Sequence, residues 1–112
     1  MGRESRDLFP GALELMILQT LRRRPMHGYA LAQYIKAVSD ELLQIEEGSL
    51  YPALQRMLKA GWLASERGLS PQGREVRIYK VTAAGARRLE AERQSFERMF
   101  AGIARVMAES AS

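Results

Sequence analysis

The stretch that opens at Thr82, TAAGARRLEAERQSFERMFAGIARVMAE, constrains the fold more than any other part of the chain. It contains no proline, and Thr82 is a residue type that caps helices by accepting a bond from a first-turn N–H. Leu89, Phe96, Phe100, Ile103 and Met107 recur at intervals of 7, 4, 3 and 4 among Arg and Glu, close to the seam of a coiled coil. At 1.5 Å per residue such a helix is ~35 to 40 Å long. The whole chain has 112 residues, room for one domain with a modest core. The apolar stripe is therefore too long to rest on its own domain and wants a second helix, most economically its own copy. The expected organisation is a folded domain over 1–81, a dimerisation helix over 82–108 and a flexible tail over 109–112. Leu89, Phe96, Met99, Phe100, Ile103 and Met107 are the expected homodimer interface.

Three shorter helices and a hairpin are legible in residues 1–81. LFPGALELMILQTLRRRP puts Leu13, Met16, Ile17, Leu18 and Leu21 at helical spacing between Pro10 and Pro25, a helix over roughly 10–23. The arginines at its end suit the negative pole of the helix dipole. A second helix runs from about Gly28 to Val38, with Leu31, Ile35 and Val38 on one stripe and His27 as a capping or turn residue at its entrance. The acidic linker SDELLQIEE carries Leu42, Leu43 and Ile45, which predicts an extended crossing of the core. In EEGSLYPALQRMLKAGW, Ser49 can cap a third helix whose first turn is Leu50, Tyr51 and Pro52, a place where the missing N–H of proline costs nothing. Leu50, Leu54, Met57 and Leu58 then face inward, and Tyr51, Pro52, Gln55, Arg56 and Lys59 form one outward face. Gly61 ends the helix. WLASER and EVRIYKVT, joined by the flexible GLSPQGR, read as a β-hairpin with a polar tip.

This order defines the expected fold class: mainly α with a small β-hairpin, a winged helix-turn-helix plus a long C-terminal dimerisation helix. In that topology the third helix enters the DNA major groove and the hairpin touches flanking backbone. Gln55 can pair with adenine, and the chain has no asparagine to do so instead. Arg56 and Lys59 can reach guanine edges or phosphates, and Tyr51 can meet a phosphate or a thymine methyl. Gln72, Arg74 and Arg77 suit a wing beside phosphates, with Glu75 partly cancelling their charge. The excess of 17 basic over 13 acidic residues agrees with a polyanionic partner, double-stranded DNA. A protein-binding winged-helix module is the alternative use of the same architecture.

Other chemistries are excluded on residue types. With no cysteine and one histidine, neither a disulfide framework nor a metal site is expected. No Gly-rich phosphate loop or paired carboxylates point to a cofactor or an enzyme. No apolar run reaches membrane-spanning length and the start carries no secretory signal, so a cytoplasmic location without a membrane partner is expected.

The stretches PGALELMILQTL, PMHGYALAQYI, EEGSLYPALQRMLKAGW and REVRIYKVTAAGARRL resemble, in order and spacing, the PadR family of bacterial transcriptional regulators over about residues 8–107. GSLYPAL followed by Arg and then AGW is the most specific block. The resemblance implies a repressor that dimerises through its C-terminal helix, in the short subclass with a single such helix. It implies DNA contacts from Ser49, Tyr51, Pro52, Gln55 and Arg56, from Tyr29 near the backbone, and from Arg74 and Arg77 in the wing. It also implies release by a small aromatic or drug-like effector. Trp62, Phe96, Met99 and Phe100 would line such a pocket, although aromatics at this spacing read first as dimer core.

Overall fold

A computed structural model describes the backbone of residues 11–111 and the side chains of residues 11–109. The elements follow as α1 (Ala12–Arg23), β1 (Met26–His27), α2 (Gly28–Val38), α3 (Glu47–Lys59), β2 (Leu63–Leu69), β3 (Glu75–Val81) and α4 (Ala83–Ala111). Pro10, expected at the entrance of the first helix, lies outside the described residues.

The helical stripes converge on one core. Ile17, Leu18 and Leu21 of α1 meet Leu31 and Ile35 of α2 and Leu50, Ala53, Leu54 and Met57 of α3, closed by Leu63, Tyr79 and Leu89. Burial of this set is the main force holding the domain together, since each fully buried aliphatic side chain contributes about 1.5–3 kcal/mol. The α2 stripe stops at Ile35. Val38, expected to continue it, is 66% exposed, because the helix ends there and its last turn overhangs the core.

The α2–α3 connection is not the extended crossing expected. It begins as a tight reversal in which Ser39 Oγ donates to the Lys36 carbonyl and accepts from the Leu43 N–H. Asp40 and Glu41 take φ values of 57° and 64°. Leu43 and Ile45 tuck partly against the core, whereas Leu42 is 83% exposed. Left-handed backbone costs a residue with a Cβ about 1–2 kcal/mol, offset in part when glycine stiffens on folding. Glu41→Gly is therefore expected to stabilise the chain by roughly 0.5–1 kcal/mol, a rise of about 3–6 °C in a thermal melt.

The hairpin gains a strand that periodicity does not reveal. The sheet order is β1-β3-β2, antiparallel throughout, with Met26 opposite Tyr79 and Leu63 opposite Val81. The tip is tied rather than loose: Ser70 N–H donates to the Arg74 carbonyl, and Ser70 Oγ accepts from the Arg74 N–H.

Thr82 caps α4 as expected. Its Oγ1 accepts from the Gly85 N–H at 3.0 Å and donates to the Gly61 carbonyl at 2.7 Å, pinning the helix to the end of α3. The first turns of α4 pack on α1 and β3. Leu89, expected at a dimer interface, is 3% exposed and belongs to the chain's own core, so the outward seam starts a heptad later. The helix also continues to Ala111, past the expected boundary at 108, because Glu-Ser-Ala leaves its hydrogen-bond ladder unbroken. From Glu97 to Glu109 the side chains stand exposed, and the molecule is 55 Å along its longest axis.

Candidate nucleic-acid interface

The third helix presents the expected face, but it starts earlier than expected. Glu46 is its N-cap, and the N–H groups of Ser49 and Leu50 both donate to the Glu46 carbonyl at 2.9 Å. Ser49 therefore lies in the first turn rather than at the cap, and Pro52 lies in the second. There its absent N–H forfeits a bond to the Gly48 carbonyl, and exposed Gly48 leaves that carbonyl to water. Glu46 and Glu47 place negative charge where the helix dipole is positive. Gly61 closes the helix, its N–H donating to the Leu58 carbonyl and that of Trp62 to the Met57 carbonyl.

Between these ends the helix is two-faced. Leu50, Ala53, Leu54 and Met57 are buried and Leu58 half-buried, while Tyr51, Pro52, Gln55, Arg56 and Lys59 are exposed. Arg56 is held across the surface by Glu14 of α1 at 2.8 Å. An exposed pair of this kind is worth about 0–1 kcal/mol, less than a charge-assisted bond to phosphate or a base edge contributes. The guanidinium is therefore only weakly tied to Glu14 and remains on the exposed side of α3.

The wing carries Gln72, Arg74 and Arg77, all exposed. The carboxylate of Glu75 pairs directly with Arg67 across the hairpin at 3.5 Å rather than with Arg74 or Arg77. Arg77 donates to Ser65 Oγ at 3.1 Å.

Tyr29, Tyr51 and Arg77, from three different elements, come together around a groove of about 250 Å³ whose walls also include His27, Gly28, Val76 and Tyr79. Tyr51 crosses directly over Gly28: a Cβ there would sit 2.8 Å from the Tyr51 hydroxyl oxygen, so any larger residue would push that ring aside. Tyr29 and Gln72 share a neighbouring groove. Ser49, Gln55, Arg56 and Lys59 sit on α3 outside both grooves. Tyr79 is the residue that sequence reasoning missed. Strand alternation assigns it to the core, where it is, but alternation does not show that it also borders the groove.

Trp62 is not brought to the expected effector residues. Arg88 covers its ring at 4.6 Å, and Phe96 lies two turns further along α4, about 12 Å in rise. Phe96 and Phe100 stack on each other with centroids 5.8 Å apart. Among the described residues no three His, Cys, Asp or Glu side chains gather as metal ligands, and no helix is long and apolar enough to cross a membrane.

Three packed helices, the third bare on its outer side and flanked by a hairpin, define a winged helix-turn-helix protein. The chain belongs to the PadR-like family of transcriptional regulators, whose family model matches residues 17–91. It is 32% identical over 94 residues to the transcriptional regulator Rv3488 of Mycobacterium tuberculosis, covering 84% of each chain. A transcriptional regulator from Clostridium thermocellum superposes with a TM-score of 0.76 at 26% identity, over 84% of this chain and 91% of that one. The fold is also that of Bacillus subtilis PadR, solved in complex with operator DNA, at a TM-score of 0.63 and 22% identity over 71% of this chain and 45% of that one. These proteins are regulators rather than enzymes.

Proposed function

We propose that the chain is a homodimeric, sequence-specific DNA-binding repressor that acts in the cytoplasm and is released by a small molecule. The observation that carries this reading is the division of α3 into a buried Leu50, Ala53, Leu54 and Met57 side and an exposed Tyr51, Pro52, Gln55, Arg56 and Lys59 side. The exposed side enters the major groove, with Ser49 at the start of the helix, while Tyr29 and the wing residues Gln72, Arg74 and Arg77 hold flanking phosphates. Pairing runs through Phe96, Met99, Phe100, Ile103 and Met107 of α4. Two recognition helices related by a twofold axis then meet half-sites about 34 Å apart. A small aromatic or drug-like effector would enter against Phe96, Met99 and Phe100 and release DNA by changing that separation.

Two substitutions separate sequence reading from phosphate grip. Gln55→Ala is expected to relax preference at one or two base pairs, losing about 1–3 kcal/mol of discrimination. Arg74→Ala is expected to weaken operator and random duplex equally and to reduce the salt slope by about 1. Gel shifts of the purified protein on its own upstream region at two salt concentrations check both. No retarded band at either salt would favour a protein-binding winged helix instead.

A further inference from the structure

The groove between α2, α3 and the wing contains a side chain that the fold alone does not account for. Tyr79 is 4% exposed, and among the described residues its hydroxyl has no hydrogen-bond partner. Buried hydroxyls are almost always paired, and an unmatched one costs about 1–3 kcal/mol. A phenylalanine at this position would fill the same space without that cost. The hydroxyl therefore calls for a ligand, and its surroundings indicate which kind.

Tyr79 borders the same groove as Tyr51 and Arg77. That groove opens on the amino end of α2, where the N-cap residue His27 makes no side-chain cap bond. A helix start lacking a capping side chain presents N–H donors and partial positive charge to an anion. Burial, and then the neighbouring Tyr51, hold the Tyr79 phenol above its ordinary pKa, outweighing the opposite pull of Arg77. At neutral pH it is consequently a neutral donor, not a phenolate that would repel an anion. The phenols of Tyr51 and Tyr79, with Tyr29 beside them, one guanidinium and a helix start, without an acidic side chain in the groove wall, make a seat for a single phosphate group.

We propose that this groove seats one backbone phosphodiester of the bound duplex, with Tyr79 and Tyr51 donating their hydroxyls to its free oxygens at the amino end of α2. The seat joins α2, α3 and the wing through one phosphate and so fixes the depth at which α3 enters the major groove. It rests on the reading of the chain as a DNA-binding protein, and it adds Tyr79 and the Gly28 opening to that reading. It carries no base information, because every nucleotide offers the same group.

The test is Tyr79→Phe, which keeps the ring and removes only the hydroxyl. Affinity is expected to fall about tenfold on operator and random duplex alike, with base preference unchanged and the melting temperature of the free protein at least as high as wild type. Methylphosphonate placed at successive positions of the half-site should weaken wild type at one position and weaken Tyr79→Phe no further there. Unchanged DNA affinity in Tyr79→Phe overturns the seat while leaving DNA binding intact. So does a drop in melting temperature, which would make the hydroxyl structural. A Tyr79→Phe effect confined to inorganic phosphate, with duplex binding unaltered, assigns the groove to a free anion and also overturns it. Wild-type protein that binds no duplex at all fails the underlying reading itself.

Discussion

A Phe100→Glu chain is expected to run as a folded monomer and to bind operator DNA at least about a hundredfold more weakly than wild type. The size follows from avidity: two linked half-site contacts exceed either one by roughly 10²–10⁴ without any new interaction. The choice of residue follows from exposure. Phe100 is 59% exposed in the single chain, and Met99, Ile103, Val106 and Met107 stand exposed beside it. A carboxylate there disturbs nothing in the winged domain, whose core ends at Leu89. In a symmetric pair each substitution is met by its own copy, so two charges enter one apolar seam, where unpaired charge is costly. Sedimentation and gel shifts read the two effects, and a melting curve confirms the fold. A dimer of undiminished affinity would place the pairing surface elsewhere. Leu89→Glu makes the contrast: its site is filled from within the chain, so it should unfold the protein rather than divide it.

The Leu89 contrast also shows what periodicity conveys. Spacing on α4 identifies one apolar face correctly, but not what covers each part of it, and the change from the chain's own core to open surface falls between Leu89 and Phe96 without any change of pattern. The same holds along β3, where alternation buries Tyr79 but says nothing of its hydroxyl, whose lack of a partner depends on three other elements. Local capping rules succeeded at Thr82, whose hydroxyl does accept from the Gly85 N–H. They failed at Ser49, because the backbone turns at Glu46 and the helix accepts an unpaired Gly48 carbonyl within its first turn. Two-residue β1 is below any pattern length, and only its pairing with β3 defines it. Trp62 is expected from the resemblance beside Phe96, Met99 and Phe100 in an effector pocket and proves instead to lie under Arg88. The outward face of α3 needed no tertiary information, since a 3.6-residue period on an amphipathic helix fixes both sides at once.

Gly85→Ala is expected to cost substantial stability, and its sign runs against local propensity. In an isolated helix alanine is better than glycine by about 1 kcal/mol. Gly85, however, is buried where α4 passes the end of α3, and a Cβ there would overlap the carbonyl oxygen of Trp62 and lie 3.0 Å from its carbonyl carbon. The obstacle is backbone, which cannot rotate aside as a side chain can. It is also fixed, because that carbonyl accepts the Thr82 N–H at 3.0 Å while Thr82 Oγ1 holds Gly61. Relieving the overlap means moving the start of α4 off its seat, which strains the cap and loosens Leu89 together. A net loss of about 2–3 kcal/mol is expected, as for overpacking of a rigid core, which lowers the melting temperature by roughly 10–20 °C. Gly102 lies on the same helix, and a Cβ there would meet nothing within 4 Å. In the Phe100→Glu background, where no partner helix intervenes, Gly102→Ala should instead gain close to the full propensity term and raise the melting temperature by several degrees. Opposite signs for one substitution on one helix isolate the Trp62 contact as the cause. Equal stabilisation at both positions would mean that α4 does not dock on the Trp62 carbonyl.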